Sequence, residues 1–281
     1  MADLTFLNNK SKSTQFLFFW IAITWFSSLE AAAWSASIDL SQEQGWAEQF
    51  SPRSWLGEEV IKLTSSTGQS IAIYFRAAGR SDYGTIILLP TFDTHLNGAP
   101  IGILRIALAH HGWHTLAVQL PTLIEEVGPT ETVPVLPLAC ARLQSAIVWL
   151  SGRKLTEKLV ILGHGLGAIA AATCVSELKE KSPVRGLILL GAGVPGIPPK
   201  GMDILKLIEK VNVPILDLYG EHDALAEREN ALVRAAVGRR NRDRPYVQIL
   251  LPGADHLFSG VEEDAAVPRI SAWLSRYVVR P

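Results

Sequence analysis

Two residues near the end of the chain have the chemistry of an acid–base pair. Asp223 lies just beyond the apolar strand predicted at 215–219, and His256 follows the last predicted strand, 247–251. A carboxylate that accepts the Nδ1 proton of an imidazole fixes its tautomer and leaves Nε2 as a base. We therefore predict that Asp223 and His256 form a dyad. The alternatives are a helix N-cap for Asp223 and an exposed loop histidine for His256.

The nucleophile that such a dyad would activate is absent from the turn where it belongs. Residues 159–168 combine an apolar strand, a sharp turn and a helix of small residues, and the turn reads Gly163-His164-Gly165-Leu166-Gly167. In the motif G-x-S-x-G the central serine sits on a strained turn and attacks the substrate. Gly165 can adopt such a turn without a Cβ clash, but it carries no hydroxyl. The sequence therefore excludes an acyl-enzyme at this position; a plain strand–helix turn is the alternative interpretation.

Backbone amides around the same turn favour the binding of a small anion. One N–H group would come from Leu166, and a second from Thr91 or Phe92 in the loop after the strand predicted at 86–89. His164 lies beside them in the sequence. Because these donors do not depend on a serine, the sequence predicts an oxyanion or ligand site at Leu166, Thr91, Phe92 and His164.

Other candidate nucleophiles and metal ligands have weaker support. The remaining nucleophilic side chains near the turn or in the next helix are Thr91, Asp93, His95, His164 and Cys174. Asp93 would serve only if its carboxylate pointed at the turn, which a sequence does not fix. Gly112 interrupts the only histidine cluster, which consists of His110, His111 and His114. We predict no metal site and no cofactor.

Apolar strands that alternate with helices would position these residues. Two strands at 60–63 and 70–75 are separated by turn residues and predict a hairpin. Six further apolar runs follow, at 86–89, 115–118, 159–162, 187–190, 215–219 and 247–251. Strands without polar alternation are typical of a parallel sheet covered on both faces. The pattern predicts an α/β fold: a mostly parallel sheet, α/β-hydrolase-like, with an N-terminal antiparallel hairpin and helices on both faces.

Helical spacing fills the intervals between the strands. The predicted helices cover residues 101–111, 138–150, 166–174, 224–237 and 267–277, and the fourth has the composition of a charged, exposed helix. Residues 191–199 are too few and too rich in glycine and proline to form a helical lid. We therefore predict a site with no large lid, covered only by loops.

The first 33 residues have the pattern of a secretory signal. Two lysines precede an apolar run at 16–26, and a small-residue stretch ends at Ala33. This run is far shorter than the roughly 20 residues of a membrane-spanning helix. We predict a signal peptide at 1–33, a polar lead-in into a single domain at 34–281, and export to the periplasm. An uncleaved N-terminal anchor is the alternative.

Composition limits the classes of partner. The 281 residues are 48% hydrophobic and carry a formal charge of −1, which favours one globular domain and gives no electrostatic case for nucleic acid. Membrane contact would come only from an uncleaved signal segment. An oxidising compartment would permit a disulfide. However, Cys140 lies early in its predicted helix and Cys174 more than two turns into the next, so we predict two separate core residues.

Several stretches together resemble a known family. They are residues 112–121, 163–168, 214–220, 251–258 and 273–274. In this combination the chain is similar to a family of exported proteobacterial proteins that have an α/β-hydrolase fold and no assigned function. A Gly-His-Gly turn is usual in that family. The resemblance implies the fold and export and supplies no reaction.

Three functional hypotheses remain open. The leading one is a catalytically degenerate periplasmic protein that binds a small molecule or an envelope protein. The second is an enzyme of hydrolase or lyase type, in which His256 and Asp223 act as a general base without a covalent intermediate. The third is a purely structural envelope protein whose pocket is filled by side chains.

Overall fold

The computed structural model describes residues 40–49, 57–65, 68–79, 81–92, 94–122, 135–178, 181–193 and 202–280. All of them belong to the compact unit Asp39–Pro281. The predicted signal peptide lies outside the described residues, as do Asp93 and most of the segment 191–199 on which the prediction of no lid depends.

Eight strands form one sheet, as the apolar runs predicted. In chain order they are β1 (Glu58–Ser65), β2 (Gly68–Phe75), β3 (Thr85–Leu89), β4 (His114–Val118), β5 (Leu159–His164), β6 (Val184–Leu190), β7 (Ile215–Gly220) and β8 (Tyr246–Leu251). The spatial order is β1-β2-β4-β3-β5-β6-β7-β8. The β1–β2 hairpin is antiparallel and β2 also pairs antiparallel with β4. All other neighbours are parallel, which confirms the predicted fold class.

Helices cover both faces of this sheet. They are α1 (Leu40–Gln49), α2 (Ile101–His110), α3 (Val135–Gly152), α4 (Leu166–Ser176), α5 (Ile204–Lys210), α6 (Leu225–Gly238) and α7 (Val267–Leu274), and π-helical turns flank α7 at Glu262–Ala266 and Ser275–Val279. Helix α3 begins two residues before Pro137, so the predicted start was late. Among the described residues, no helix combines the length and apolarity needed to cross a bilayer.

The core has two layers because successive strand residues point to opposite faces. On β3, Ile87 and Leu89 pack with α3, α4 and α5, whereas Ile86 and Leu88 pack with α2 and α7. All four side chains are fully buried. The continuous apolar runs of the sequence therefore follow from coverage on both sides.

The two cysteines form a disulfide, so the prediction of separate core residues was wrong. Cys140 of α3 and Cys174 of α4 are bonded, with Cα atoms 5.2 Å apart. Helices α3 and α4 pack side by side on one face of the sheet. The prediction compared the positions of the two residues along their own helices. Those positions do not fix the offset between neighbouring helices, and the offset brings the cysteines together.

Two polar segments bury charged side chains, which was not predicted. The polar lead-in contains α1, which Glu43 ties to the domain through Arg142 at 2.9 Å and the Thr122 amide at 3.0 Å. Helix α6 was predicted to be exposed, but its inner face buries Glu227 and Arg234 completely or nearly so. In both places charged side chains are buried because each has an ionic partner. The short helix α5 was not predicted.

Candidate functional site

Gly165 stands at the apex of the turn between β5 and α4. Its dihedrals are φ 56° and ψ −124°, a region that L residues adopt only with strain. A Cβ at Gly163 would lie 2.3 Å from the Gly167 carbonyl oxygen, and a Cβ at Gly167 would lie 2.1 Å from that of Pro90. The flanking glycines therefore permit the close approach of strand and helix. The turn has the backbone shape of a nucleophile elbow with no side chain at its apex.

Asp223 and His256 lie in hydrogen-bond contact beside this turn. His256 Nδ1 is 3.0 Å from Asp223 Oδ1 and 3.1 Å from Oδ2. Asp223 is buried, whereas 44% of the His256 side chain is exposed. A Cβ at Gly165 would lie 3.4 Å from His256 Nε2. The free nitrogen of the imidazole therefore faces the place where a nucleophile would stand.

The loop after β8 and the end of β6 hold the imidazole in this position. Gly191 has φ +53°, and a Cβ there would lie 3.0 Å from His256 Cε1 and 3.4 Å from Asp223 Oδ2. The absence of a side chain at Gly191 thus lets the dyad lie against the backbone. Asp223 also accepts the Ala224 amide at 2.7 Å, although Ala224, not Asp223, is the N-cap residue of α6.

Hydrogen bonding to Asp223 raises the pKa of His256. Burial of the imidazole acts in the opposite direction but is the smaller effect. The protonated ring is favoured because the carboxylate accepts from Nδ1. His256 can therefore present a basic nitrogen when neutral, or an N–H donor when protonated, to the space above Gly165.

Thr91 contributes its side chain to the site. Its Oγ1 accepts the Leu166 amide at 3.3 Å, the same N–H that was predicted to stabilise an oxyanion. A Cβ at Gly165 would lie 3.2 Å from this oxygen. Phe92 was the alternative source of a backbone N–H in this loop, and its ring is buried in the core. The sequence pointed to the loop because it follows β3 and placed the Thr91 side chain near the turn, but it gave no signal that the hydroxyl accepts the Leu166 amide.

His164 has a supporting position in the site, and its predicted contact with a ligand stays a prediction. Its ring is buried, and Nε2 donates to the His256 carbonyl at 2.9 Å. Burial lowers the pKa of His164 to about 4, so the ring is neutral at physiological pH. His164 therefore anchors the loop that carries His256.

A buried ionic network lies behind the dyad and was missed in the sequence. Arg234 donates through Nε to Asp217 at 2.9 Å and through Nη2 to Glu227 at 2.6 Å. Burial raises the pKa of Glu227 to about 7, because Arg234 is shared with Asp217 and compensates only part of the desolvation. Among the residues that the structure describes, none forms a hydrogen bond with the second Glu227 oxygen. Charge on Glu227 in turn favours the protonated form of His256.

Other histidines of the sequence lie away from the dyad in separate contacts. His114 Nδ1 is 2.6 Å from the Tyr74 hydroxyl, and His111 Nδ1 is 2.8 Å from the Ala107 carbonyl. Within the described residues, no group of three or more His, Cys, Asp or Glu side chains has the arrangement of a metal site.

Comparison with known sequences identifies a family. The model for a protein of unknown function, DUF3530, matches residues 30–137 and 136–276. The chain belongs to the DUF3530 family. No curated protein sequence matches it. For this DUF3530 protein, membership therefore brings no assigned reaction, and function has to be argued from the site.

Solved structures of esterases and related hydrolases share its fold. The esterase domain of a Rhodothermus marinus protein is 17% identical, with a TM-score of 0.57 over 78% of this chain and 98% of that one. A cold-adapted esterase from an Arctic intertidal metagenomic library is also 17% identical, with a TM-score of 0.61 over 79% and 94%. A dienelactone hydrolase from Anabaena variabilis is 17% identical, with a TM-score of 0.57 over 79% and 98%. At this identity the likeness establishes an α/β-hydrolase fold alone.

Proposed function

We propose that this DUF3530 protein binds a small molecule over its glycine turn and forms no acyl-enzyme there. The observation that carries the proposal is the geometry at Gly165: an elbow-shaped turn without a side chain, faced by His256 Nε2 at 3.4 Å from the Cβ position. Covalent acyl transfer requires an activated nucleophile. The same geometry leaves the imidazole exposed to a ligand.

Mass spectrometry tests both halves of this proposal. The protein is incubated with p-nitrophenyl butyrate and, separately, with a fluorophosphonate, and its intact mass is measured. We expect no adduct with either reagent. Native mass spectrometry of the protein purified from its own cells should show a noncovalent small molecule that His256→Ala loses. A stoichiometric acyl adduct that disappears in His256→Ala would overturn the proposal.

A second candidate function, general-base catalysis, is favoured by the alignment of the dyad. Both Asp223 oxygens lie within 3.1 Å of His256 Nδ1, and Nε2 is accessible. In such a mechanism Nε2 takes a proton from water, the water oxygen attacks a carbonyl carbon, and the leaving group receives the proton. General-base catalysis contributes about 10²–10⁴-fold. Turnover without a covalent adduct that is abolished by Asp223→Ala would establish it in place of simple binding.

We further propose that residues 1–33 are removed during export, leaving a single periplasmic domain from residue 34. Two features support this: the composition of the first 33 residues and the Cys140–Cys174 bond, since disulfides persist in oxidising compartments. Intact mass of the protein from a periplasmic fraction tests it. A mass that still includes residues 1–33, or two free thiols in that fraction, would contradict it. The partner would then be a small molecule or an envelope protein.

A further inference from the structure

Two polar side chains from different loops converge on one point above Gly165. Thr91 comes from the loop after β3 and His256 from the loop after β8. The Cβ position of residue 165 lies 3.2 Å from Thr91 Oγ1 and 3.4 Å from His256 Nε2. In a hydrolase with a serine here, that side chain would occupy the intervening space. In this protein the same space is bordered by an imidazole nitrogen and a hydroxyl.

The direction of the hydrogen bonds makes Thr91 a donor toward this space. The Leu166 N–H donates to Thr91 Oγ1 at 3.3 Å, so the hydroxyl acts as acceptor in that bond. A hydroxyl has one proton to donate in addition. Within the part of the chain that the structure describes, no hydrogen bond uses that proton. An acceptor atom above Gly165 would receive it, and the amide behind Thr91 would strengthen the bond by polarising the hydroxyl.

The charged groups around His256 favour its protonated form, which is a second donor. Asp223 accepts from Nδ1 at 3.0 Å, while Glu227 on α6 and Asp255 on the same loop also favour the imidazolium. His164 of β5 faces the ring at a centroid distance of 5.0 Å and is neutral. A protonated His256 therefore points an N–H from Nε2 toward the same space as the Thr91 hydroxyl.

We propose that this space binds the carboxylate of a small organic acid, with one oxygen accepting from the Thr91 hydroxyl and the other from His256 Nε2. This inference rests on the proposed function and names the class of ligand for the same site. Two donors, one of them cationic, match a carboxylate better than a neutral amide or ester, because charge-assisted hydrogen bonds are about twice as strong as neutral ones.

Side-chain NMR of His256 provides the test, with butyrate as the probe and butyramide as its neutral counterpart. Butyrate should shift the His256 resonances and raise the midpoint of its titration. Its affinity should be at least about tenfold higher at pH 6 than at pH 9, and at least about tenfold higher than that of butyramide. The midpoint should rise because a bound carboxylate stabilises the imidazolium form of His256. The affinity should fall at high pH because His256 loses the Nε2 proton above its pKa.

Thr91→Val tests the hydroxyl while keeping the shape of the side chain. It should weaken butyrate binding by about tenfold or more, since a hydrogen bond to a charged group is lost while a valine γ-methyl, unlike alanine, still covers the Leu166 N–H. The His256 midpoint without butyrate should stay where it is in the wild type. Thr91→Ser, which keeps the hydroxyl, should restore binding, and circular dichroism checks that both variants fold.

Three results would each overturn the proposed carboxylate site. They are equal binding of butyrate to the wild type and Thr91→Val, binding of butyramide as tight as that of butyrate, and no binding of butyrate at pH 6. None of these results depends on whether an acyl adduct forms. Formation of that adduct is the result that would overturn the proposed function. The two proposals therefore fail separately.

Discussion

Placing a serine at residue 165 without any other change is expected to give a poor esterase. Gly165→Ser places a Cβ 3.2 Å from Thr91 Oγ1 and 3.3 Å from Thr91 Cβ, both tighter than ordinary contacts. The residue also has to adopt φ 56°, which costs about 1–3 kcal/mol for a non-glycine residue. Most importantly, Thr91 still accepts the Leu166 amide. A serine would thus gain a base, but the Leu166 oxyanion donor would remain occupied.

Removing the Thr91 hydroxyl at the same time should supply that donor. Loss of one oxyanion-hole hydrogen bond lowers kcat by about 10²–10³-fold in enzymes that depend on it. The double variant Gly165→Ser/Thr91→Ala should therefore hydrolyse p-nitrophenyl butyrate roughly 100-fold or more faster than Gly165→Ser. The assay is initial-rate release of p-nitrophenol at pH 8, combined with intact mass to detect the butyryl-enzyme.

Two matched controls isolate the serine and the base. The variant Gly165→Ala/Thr91→Ala has a Cβ at residue 165 and a free Leu166 amide, as Gly165→Ser/Thr91→Ala does, but it lacks the serine hydroxyl. It should therefore be inactive. Gly165→Ser/Thr91→Ala/His256→Ala should fall to the same background. Equal rates for Gly165→Ser with and without Thr91→Ala would refute the argument that Thr91 occupies the oxyanion donor. Activity in the alanine control would refute the role assigned to residue 165.

Three further predictions concern the surroundings of the site. Asp223→Asn should lower the pKa of His256, because the hydrogen bond to Asp223 is the main cause of its elevation; an unchanged midpoint in an NMR titration would contradict this. In the folded protein the pKa of Glu227 is about 7, compared with 4.5 for an unperturbed glutamate. Protonation of Glu227 therefore contributes fully to the stability of the folded state below pH 4.5, and this contribution is lost as the pH rises through 7. The free energy of unfolding, measured in urea from pH 4.5 to 8, should therefore fall by up to about 3 kcal/mol less in Glu227→Gln than in the wild type. The same fall in both proteins would contradict this. The double variant Cys140→Ser/Cys174→Ser should lower the free energy of unfolding by about 4 kcal/mol, given a sequence separation of 34 residues. Reduced wild type should unfold at the same urea concentration as this variant, and a difference would point to lost packing rather than the lost crosslink.

The sheet was predictable because strands that are buried on both faces consist mainly of apolar residues. The runs 86–89, 159–162 and 187–190 in β3, β5 and β6 are covered on both faces, and all their residues are aliphatic. The hairpin was recognisable from turn residues between two strand patterns. The dyad followed from the same information: parallel strands end at one edge, so residues just after β7 and β8 meet there. Asp223 and His256 needed no knowledge of side-chain packing.

Features that depend on packing between distant segments left no local pattern. Helix α1 is polar, and its position depends on Glu43 pairing with Arg142, 99 residues away. Arg234 and Glu227 look like surface charges on α6, yet they are buried with Asp217. The cysteine pair depends on the offset between α3 and α4. In each case the partner, not the sequence around the residue, decides the structure.

The position of the base does not depend on the residue at the turn. His256 is held by Asp223 at Nδ1, by His164 at its carbonyl oxygen, and by the close backbone of Gly191. None of these contacts involves a side chain at residue 165. Replacing serine by glycine therefore removes the nucleophile without releasing the imidazole. Thr91 then lies close enough to present a hydroxyl where the serine would have stood. An elbow of this kind has no side-chain nucleophile but keeps two directed polar groups, and on this geometry we base the proposal that it binds an acid.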